Sequence, residues 1–572
     1  MGPEDSKQMI SWKEWSKETF DFAAKERKLV LLDLTASWCH WCHVMDQTTY
    51  SDPDIIQTIN AMFVPVRVDI DKRPDISERY NRGGFPTTAF LSDRGESIWG
   101  ATYIPISDMK RIINSIIDAS QSGEIGDALE RSRMHFLDVS AATEPRAPLS
   151  LSETEDVFED IFATYDVENG GFGIAPKFPH PAILDMLMAK HAAENERELA
   201  DAVVNTLRKM SEGLYDHVEG GLFRYSVSGD WRFPHYEKLL DTNLGYLNNL
   251  VHANAVFGNK DFEEWAGGTA EYLLRTLRDE KSGGFFGSQD ADEEYYRLDA
   301  RERKGRKAPD LDRTIYAGWN SEAVSVLVNA GRLLGNDEIA NAGAEAWRFV
   351  LDRLWDKEKG LARHSDSQEL SLFEDQVALL SAALAMLDVA GNDEPIRVAE
   401  SLIKGVDAAF AHEDGGYGDV EKVQGAVGEL EDPRRPLAEN AAWARALALF
   451  GVATHREDLV EKARSILMSF TKKEVDSSGL FAATYVLARW TLERGPICVE
   501  VHSDARGGSQ AADLARAAGT NFDPGIMVRS LKDPEAKEPY AVICTSAGCQ
   551  SKIEDPDKLS AALASAVPSK GH

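Results

Sequence analysis

The 572-residue sequence predicts a multidomain protein. It combines an N-terminal α/β domain, an all-α barrel of six helical hairpins, and a small C-terminal α/β segment. Three observations predict this. An apolar run, "KLVLLDLTAS" (28–37), leads straight into "ASWCHWCHVM" (36–45), as a buried strand leads into a helix. A Gly-plus-apolar loop then recurs six times through the middle of the chain. Beyond about residue 494 short apolar strands alternate with helices again. The expected boundaries are 1–137, a linker at 138–150 ("DVSAATEPRAPLS"), 151–493 and 494–572.

Composition narrows the function classes. Apolar content of 43% and charged content of 28% fit a globular protein, and no uncharged apolar run is long enough to span a bilayer. The start, "MGPEDSKQMISWKEW", has neither a basic head nor an apolar core, so no signal peptide is expected. Met1-Gly2 with Ser6 fits the myristoylation pattern by chance, beside Pro3 and acids. A formal charge of −32 opposes binding to nucleic-acid backbones. The basic run "RERKGRK" (301–307) reads as a solvated loop. Five cysteines in so long a chain are no secreted disulfide framework. They point to a reducing, cytoplasmic setting where a Cys-x-x-Cys pair is catalytic or metal-binding.

In the N-terminal domain, the strand and the cysteines are followed by "MDQTTYSDPDIIQTIN", read as mostly helix. "MFVPVRVDID" (62–71), "GGFPTTAFL" (83–91) and "ESIWGATY" supply further strands, and "SDMKRIINSIIDA" (107–119) an amphipathic helix. Cys39 would begin a helix, where free N–H groups and the dipole favour a thiolate. It is the expected nucleophile. Cys42, one turn on, is the expected resolving thiol. His40 between them would stabilise the thiolate if protonated. His43 reads as packing under the helix. The metal alternative puts Cys39, Cys42 and His43 on one helix face with Cys544 or Cys549 as a fourth ligand, but structural zinc usually joins two such knuckles. The redox dithiol is preferred, with no metal and no cofactor.

This order of elements is similar to that of thioredoxin-like folds. They carry Trp before the first Cys, as Trp38 stands here, and a buried Asp six residues before it, as Asp33 does. They also carry a cis-Pro followed by Thr, matching Phe85-Pro86-Thr87. The resemblance implies that Asp33 accepts the resolving thiol's proton, and that Pro86 presents backbone groups to an extended peptide.

In the middle, the loops fall at Gly171, Gly221, Gly284, Gly360, Gly416 and Gly479. Their intervals are 50, 63, 76, 56 and 63 residues, each enough for two helices plus loops. Six equivalent hairpins argue for a closed (α/α)6 barrel with its Gly loops at one end. An open helical solenoid is the alternative. Polar and aromatic residues crowd these loops: His180 in "APKFPHP", then His217, Arg224, Tyr225, His235, Glu237 and Asp241 in 214–243. Asp290 and Asp292 follow in "SQDADEE", and Trp319 and Asn320 in "AGWNSEA". Acids and histidines suit acid/base work and aromatics stack on sugar faces, so the mouth has the makeup of a carbohydrate pocket. The plainer reading is helix capping and loop closure.

At "CHWCHVM", "GGFGIAPKFPHP", "GLYDHVEGGLFRYS", "PHYEKLLD" and "QDADEE" the chain resembles a thioredoxin-domain family, DUF255, typified by spermatogenesis-associated protein 20. The likeness runs in order from about Trp12 to about Ala564. It implies a thioredoxin-like domain joined to a barrel similar to those of N-acylglucosamine 2-epimerases and certain glycosidases. The family's Trp before the Pro is Phe85 here. Its "EDAD" is Gln289-Asp290-Ala291-Asp292, its Pro-Ser-Gly-Asn segment is "PLAEN" with Asn440 retained, and its double Asp is Glu374-Asp375.

In the C-terminal segment, "GPICVEVHS", "GIMVRSL" and "PYAVICTSAGCQ" read as strands and "SQAADLARAA" and "DPDKLSAALAS" as helices. Cys498 reads as a buried strand thiol. Cys544 and Cys549 would either relay electrons to Cys39–Cys42 or pair with each other. The leading functional expectation is a thiol–disulfide oxidoreductase whose partners are a protein or small-molecule disulfide and a thiol reductant. The alternatives are a sugar 2-epimerase, isomerase or glycosidase acting on a carbohydrate in the barrel, and a non-catalytic binding protein or holdase. Neither nucleic acid nor membrane is an expected partner.

Overall fold

A computed structural model describes residues 9–130, 149–366, 369–422, 426–504, 508–520 and 522–566. The expected linker therefore lies, up to residue 148, outside the described residues. By internal contacts the chain divides into two units. The first combines residues up to 145 with 420–434, and the second holds the rest, so the C-terminal segment clusters with the barrel.

In the first unit, α1 (Lys17–Glu26) precedes β1 (Leu29–Thr35), α2 (His40–Gln47), α3 (Pro53–Met62) and β2 (Phe63–Asp69). There follow α4 (Pro74–Tyr80), β3 (Thr87–Leu91), β4 (Ser97–Ala101) and α5 (Ile106–Ser122). The sheet order is β2-β1-β3-β4. β1 runs parallel to β2 and antiparallel to β3, and β3 runs antiparallel to β4. β1 is apolar along nearly its whole length because it is central and covered on both faces. Leu31, Phe63 and Phe90 pack with Met45, Ile55, Ile59, Met109 and Ile113. The helix α4 and the added segment 420–434 were not foreseen. Arg79, nearly fully buried, donates from Nε to the Glu429 carbonyl (2.8 Å), and the Tyr80 hydroxyl accepts from the Glu429 N–H (3.0 Å).

The barrel alternates outer and inner helices. The outer ones are α6 (Leu151–Phe162), α8 (Arg197–Leu214), α10 (Lys260–Tyr272), α12 (Asp337–Arg353), α14 (Glu394–Ala409) and α16 (Glu457–Met468). The inner ones are α7 (Pro181–Glu194), α9 (Leu240–Phe257), α11 (Ala317–Leu334), α13 (Phe373–Val389), α15 (Leu437–Ala453) and α17 (Ala483–Arg494). Each inner helix contacts the next, and α17 contacts α7, which closes the ring. The open solenoid is thereby excluded. The sequence explains the two layers. α15 reads "LAENAAWARALALFGVA" and is buried on nearly all sides, whereas α8 buries one stripe. All six Gly loops lead from an outer helix into an inner one, so they share one end of the barrel.

A repeated amide clamp holds that end together. The fourth residue of α9, α11, α13 and α15 is Asn243, Asn320, Gln376 and Asn440. Each side chain takes the N–H and gives to the C=O of one residue after the Gly turn: Leu222, Phe285, Ala362 and Tyr417 respectively. Each also bonds the carbonyl four residues before it. Gly221 sits at φ +81° in such a turn, and a Cβ there would meet Tyr272 at 2.6 Å, so only glycine fits.

The C-terminal segment holds β5 (Ile497–Ser503), α18 (Ser509–Thr520), β6 (Ile526–Lys532), β7 (Tyr540–Thr545), β8 (Gly548–Cys549) and α19 (Pro556–Ala566). Its sheet order, β6-β5-β7-β8, and its strand directions repeat those of the N-terminal sheet. One face, with Cys498, Met527 and Cys544, joins the barrel's core; Ile497, Val499 and Val501 pack with Leu514, Leu559 and Leu563.

Candidate functional site

In the first unit, β1 ends beside the turn that places Cys39 at the N-cap of α2. Its Sγ accepts the Cys42 N–H at 3.2 Å, and the two cysteines are joined as a disulfide. Both are buried, while the neighbouring His40 and Trp41 are exposed. Once reduced, the sulfur at this helix start would keep the N–H bond and the dipole, both of which favour the thiolate. Trp38 is buried before the pair, and its indole N–H donates to Asp71 at 2.6 Å. The Phe85–Pro86 bond is cis, and the Phe85 ring meets Trp38 edge-on at 6.5 Å.

Asp33 lies fully buried on β1, directly opposite Arg67 on β2. Arg67 Nε donates to Asp33 at 2.7 Å, and the same guanidinium pairs with Asp46 of α2. The Tyr50 hydroxyl faces Asp33 at 3.4 Å and shares a hydrogen bond with Thr88. Burial pushes the Asp33 carboxyl up to about 6 against the pull of Arg67. Arg67, Tyr50, Asp46 and Asp71 were missed from sequence. The available signal was an arginine inside the apolar strand "FVPVRVD".

In the second unit, a cluster forms at the loop end of the barrel. Tyr225 and His235 pair across a short two-stranded ribbon with rings stacked at 4.4 Å, and Phe178 stacks on Tyr225 at 4.6 Å. Arg224 lies over the Tyr225 ring. Glu237 is buried, with Oε1 3.4 Å from His235 Nδ1 and Oε2 without a hydrogen-bond partner among the described residues. Burial raises Asp241 above the usual carboxylate range, and burial with the Asp241 charge pushes Glu322 up to about 8. Glu439, at the start of α15, is also raised by burial. His180 stands at the N-cap position of α7 without a side-chain capping bond, and burial lowers it. Glu322 and Glu439 were not singled out from sequence, although both lie in stretches that were.

Other residues named from sequence make the following contacts. Asn320 is one of the amide clamps, as is Asn440. Trp319 packs its ring edge-on to Tyr316, and Asp290 takes the Ala291 N–H at 2.7 Å. Asp292 is exposed and caps a single turn through the Tyr295 N–H; His217 is exposed, its ring against Tyr215. The motif lysines are locks: Lys177 and Lys238, fully buried, pair with Asp166 and Asp216 and bond the carbonyls of Gly170 and Gly220. The basic run 301–307 is not wholly solvated. Arg303 is buried and holds Asp216 in a two-pronged pair, because a loop carbon stem can be covered while its charge is matched inside.

Cys544 and Cys549 form a disulfide across the β7–β8 hairpin, with Cys498 opposite Cys544 on β5. Ligand atoms of Glu500, Cys544 and Cys549 lie within 4.8 Å of one another, as do those of His364, Glu374 and Asp375. No helix among the described residues is long and apolar enough to cross a membrane.

Comparisons with known proteins follow this division. Residues 4–133 match the family described as Thioredox_DsbH, "Protein of unknown function, DUF255". The chain is 30% identical to spermatogenesis-associated protein 20 of Rattus norvegicus over 308 residues, which cover 50% of this chain and 39% of that one. It is 27% identical to the uncharacterized protein B0495.5 of Caenorhabditis elegans over 525 residues, 86% of this chain and 67% of that one. The chain thus spans well under half the length of the rat protein. Cellobiose 2-epimerase from Bacillus thermoamylovorans superposes with a TM-score of 0.46 at 13% identity, covering 55% of this chain and 85% of that one. Residues 4–133 thus match the DUF255 (Thioredox_DsbH) family model, and over 308 residues the chain is similar to spermatogenesis-associated protein 20.

Proposed function

We propose that the protein is a thiol–disulfide oxidoreductase acting through Cys39 and Cys42. The observation that carries this is Cys39 at the N-cap of α2, bonded to Cys42 and accepting its N–H. In the reduced protein the Cys39 thiolate attacks a partner disulfide, forms a mixed disulfide and expels one partner thiolate. Cys42 then attacks Cys39, releases the second partner thiol and restores the Cys39–Cys42 disulfide. A thiol reductant returns the pair to the dithiol by the same exchange in reverse. The exposed His40 and Trp41 and the cis-Pro86 edge border the docking partner, and a reducing compartment such as the cytoplasm suits the cycle. A Cys42→Ser variant should accumulate mixed disulfides through Cys39 that dithiothreitol releases. Absence of any such adduct, with no insulin reduction by the wild type, would overturn the reading.

A second reading concerns the barrel's loop end. Glu322, raised to about 8 by burial and the Asp241 charge, together with the stacked Phe178, Tyr225 and His235 rings at the same end of the barrel, supports acid/base chemistry on a carbohydrate. Its mark would be sugar isomerisation, epimerisation or hydrolysis that is lost in Glu322→Gln and survives Cys39→Ser.

A further inference from the structure

A cavity with charged groups in its wall lies within the barrel unit, away from the loop end. It has a volume of about 260 Å³ and is walled by α7, α9, α11, α13 and α15, with Ala518, Gly519, Phe522, Asp523 and Met527 of the C-terminal segment also lining it. None of its lining residues belongs to the loop-end cluster. Along α11, Arg332 lies ten residues after Glu322, ~15 Å at about 1.5 Å per residue.

The charged groups of this cavity are matched with one exception. Asp185 accepts from Asn248 (3.3 Å) and Asn249 (2.9 Å). His252 takes the Asn329 amide N–H on Nε2 (2.9 Å), which leaves its Nδ1–H facing Asp185 at 3.5 Å. Asp388 accepts from Ser530 (2.9 Å) and faces Arg332 at 3.6 Å. Arg332 also donates to Asn329 Oδ1 at 2.5 Å. Asp523 accepts the Gly525 N–H (2.7 Å) and faces Arg494 at 3.6 Å. Arg445, from the middle of α15, forms no hydrogen bond or ion pair among the described residues. Its guanidinium has five donors, and Asp185 and Asp523 act on it only at longer range.

A guanidinium placed in a cavity without a carboxylate partner is an anion receptor. The ligand's charge follows from the wall. Two arginines stand against three aspartates, so the wall carries no surplus of arginine charge, which disfavours a dianion. Its size follows from the volume, just under the roughly 300 Å³ at which pockets for drug-sized ligands begin. Asn248, Ser325 and Ser381 add polar groups suited to hydroxyls. We propose that this cavity binds a small hydroxylated monocarboxylate, a hydroxy acid or sugar acid, with its carboxylate on Arg445.

The test is calorimetric titration of the full-length protein with glycolate, D-gluconate and D-glucuronate, with D-glucose and inorganic phosphate as comparators. At least one of the three acids should bind saturably, glucose should not, and phosphate should bind at least about tenfold more weakly. Arg445→Met should weaken acid binding at least about tenfold while leaving the ligand-free melting temperature unchanged or higher, because it removes an unpaired charge. Arg445→Lys, which keeps the charge and loses the fork, should fall between the two. Failure of all three acids to bind the wild type, equal binding to both variants, or phosphate binding as tightly as the acids would each overturn the proposal. The wild-type titration decides even if a variant does not fold.

Discussion

Arg67 Nε stands 2.7 Å from the buried Asp33 carboxylate, across the β1–β2 register that pairs the two residues. The arginine partly offsets the desolvation of an acid placed in the middle of the sheet, and it ties that acid to Asp46 on the helix that carries the dithiol.

Replacing Arg67 with Met should therefore move the Asp33 titration above its value of about 6, because the opposing charge is gone. Carboxyl ¹³C shifts followed against pH would record it, and an unmoved or lowered midpoint would refute the account. The sign for wild-type stability follows. The folded pKa lies above the ordinary 3.8, so the contribution is fully present below that value and is lost as pH rises through about 6. Its size is on the order of 2–3 kcal/mol.

Asn320→Ala should destabilise the second unit by about 2–4 kcal/mol, since it removes three hydrogen bonds and strands a buried backbone N–H at Phe285. Chemical denaturation measures the loss. The rate at which dithiothreitol reduces Cys39–Cys42 should be unchanged, which separates a clamp from a site residue.

Glu322→Gln should flatten the pH dependence of stability above neutrality. The wild-type carboxyl, raised from 4.5 to about 8, favours the fold while protonated and loses that contribution as pH climbs from about 4.5 through 8. Between pH 6 and 9 the variant should gain on the wild type by on the order of 1–3 kcal/mol. Parallel denaturation profiles for the two proteins would contradict this.

Cysteine labelling should be ordered by burial. Cys498 is enclosed and its thiol is pushed up to about 12, so iodoacetamide should leave it unmodified in the native protein. After mild reduction of the hairpin disulfide, Cys549, which is exposed, should react ahead of the buried Cys544. Peptide mass spectrometry reads the order directly, and early labelling of Cys498 would contradict it.

The sequence was most legible where local pattern and tertiary role coincide. The strand before Cys39 announced itself by unbroken apolarity, and the six Gly turns by recurrence. The closed ring was expected because six equivalent hairpins followed one another. What escaped notice depends on pairings the linear chain does not display. Arg67 acquires meaning only through the register that sets it against Asp33. Arg303 reads as solvent-facing inside "RERKGRK" until Asp216, far back in the chain, is found beside it. Asn320 reads as a pocket residue because a polar group at a helix start can serve either a ligand or a turn, and its bonds to Phe285 and Tyr316, which hold a turn, are not visible in the linear chain. The repeated strand order of the C-terminal segment was hidden because its residues share no motif with the first sheet.

The segment 420–434 gives the first unit an unusual history during synthesis. Its first part ends at residue 145, yet the stretch that supplies the Glu429 contacts to Arg79 and Tyr80 is translated about 275 residues later. At roughly 5–20 residues per second, that is a delay of about 14–55 seconds on the ribosome. Through that interval the Arg79 guanidinium has the Asp75 carbonyl, but the Glu429 and Asp432 carbonyls that it also bonds do not yet exist. The dithiol's domain is thus finished only when most of the barrel has been made, and a chain interrupted before residue 420 would release it incomplete.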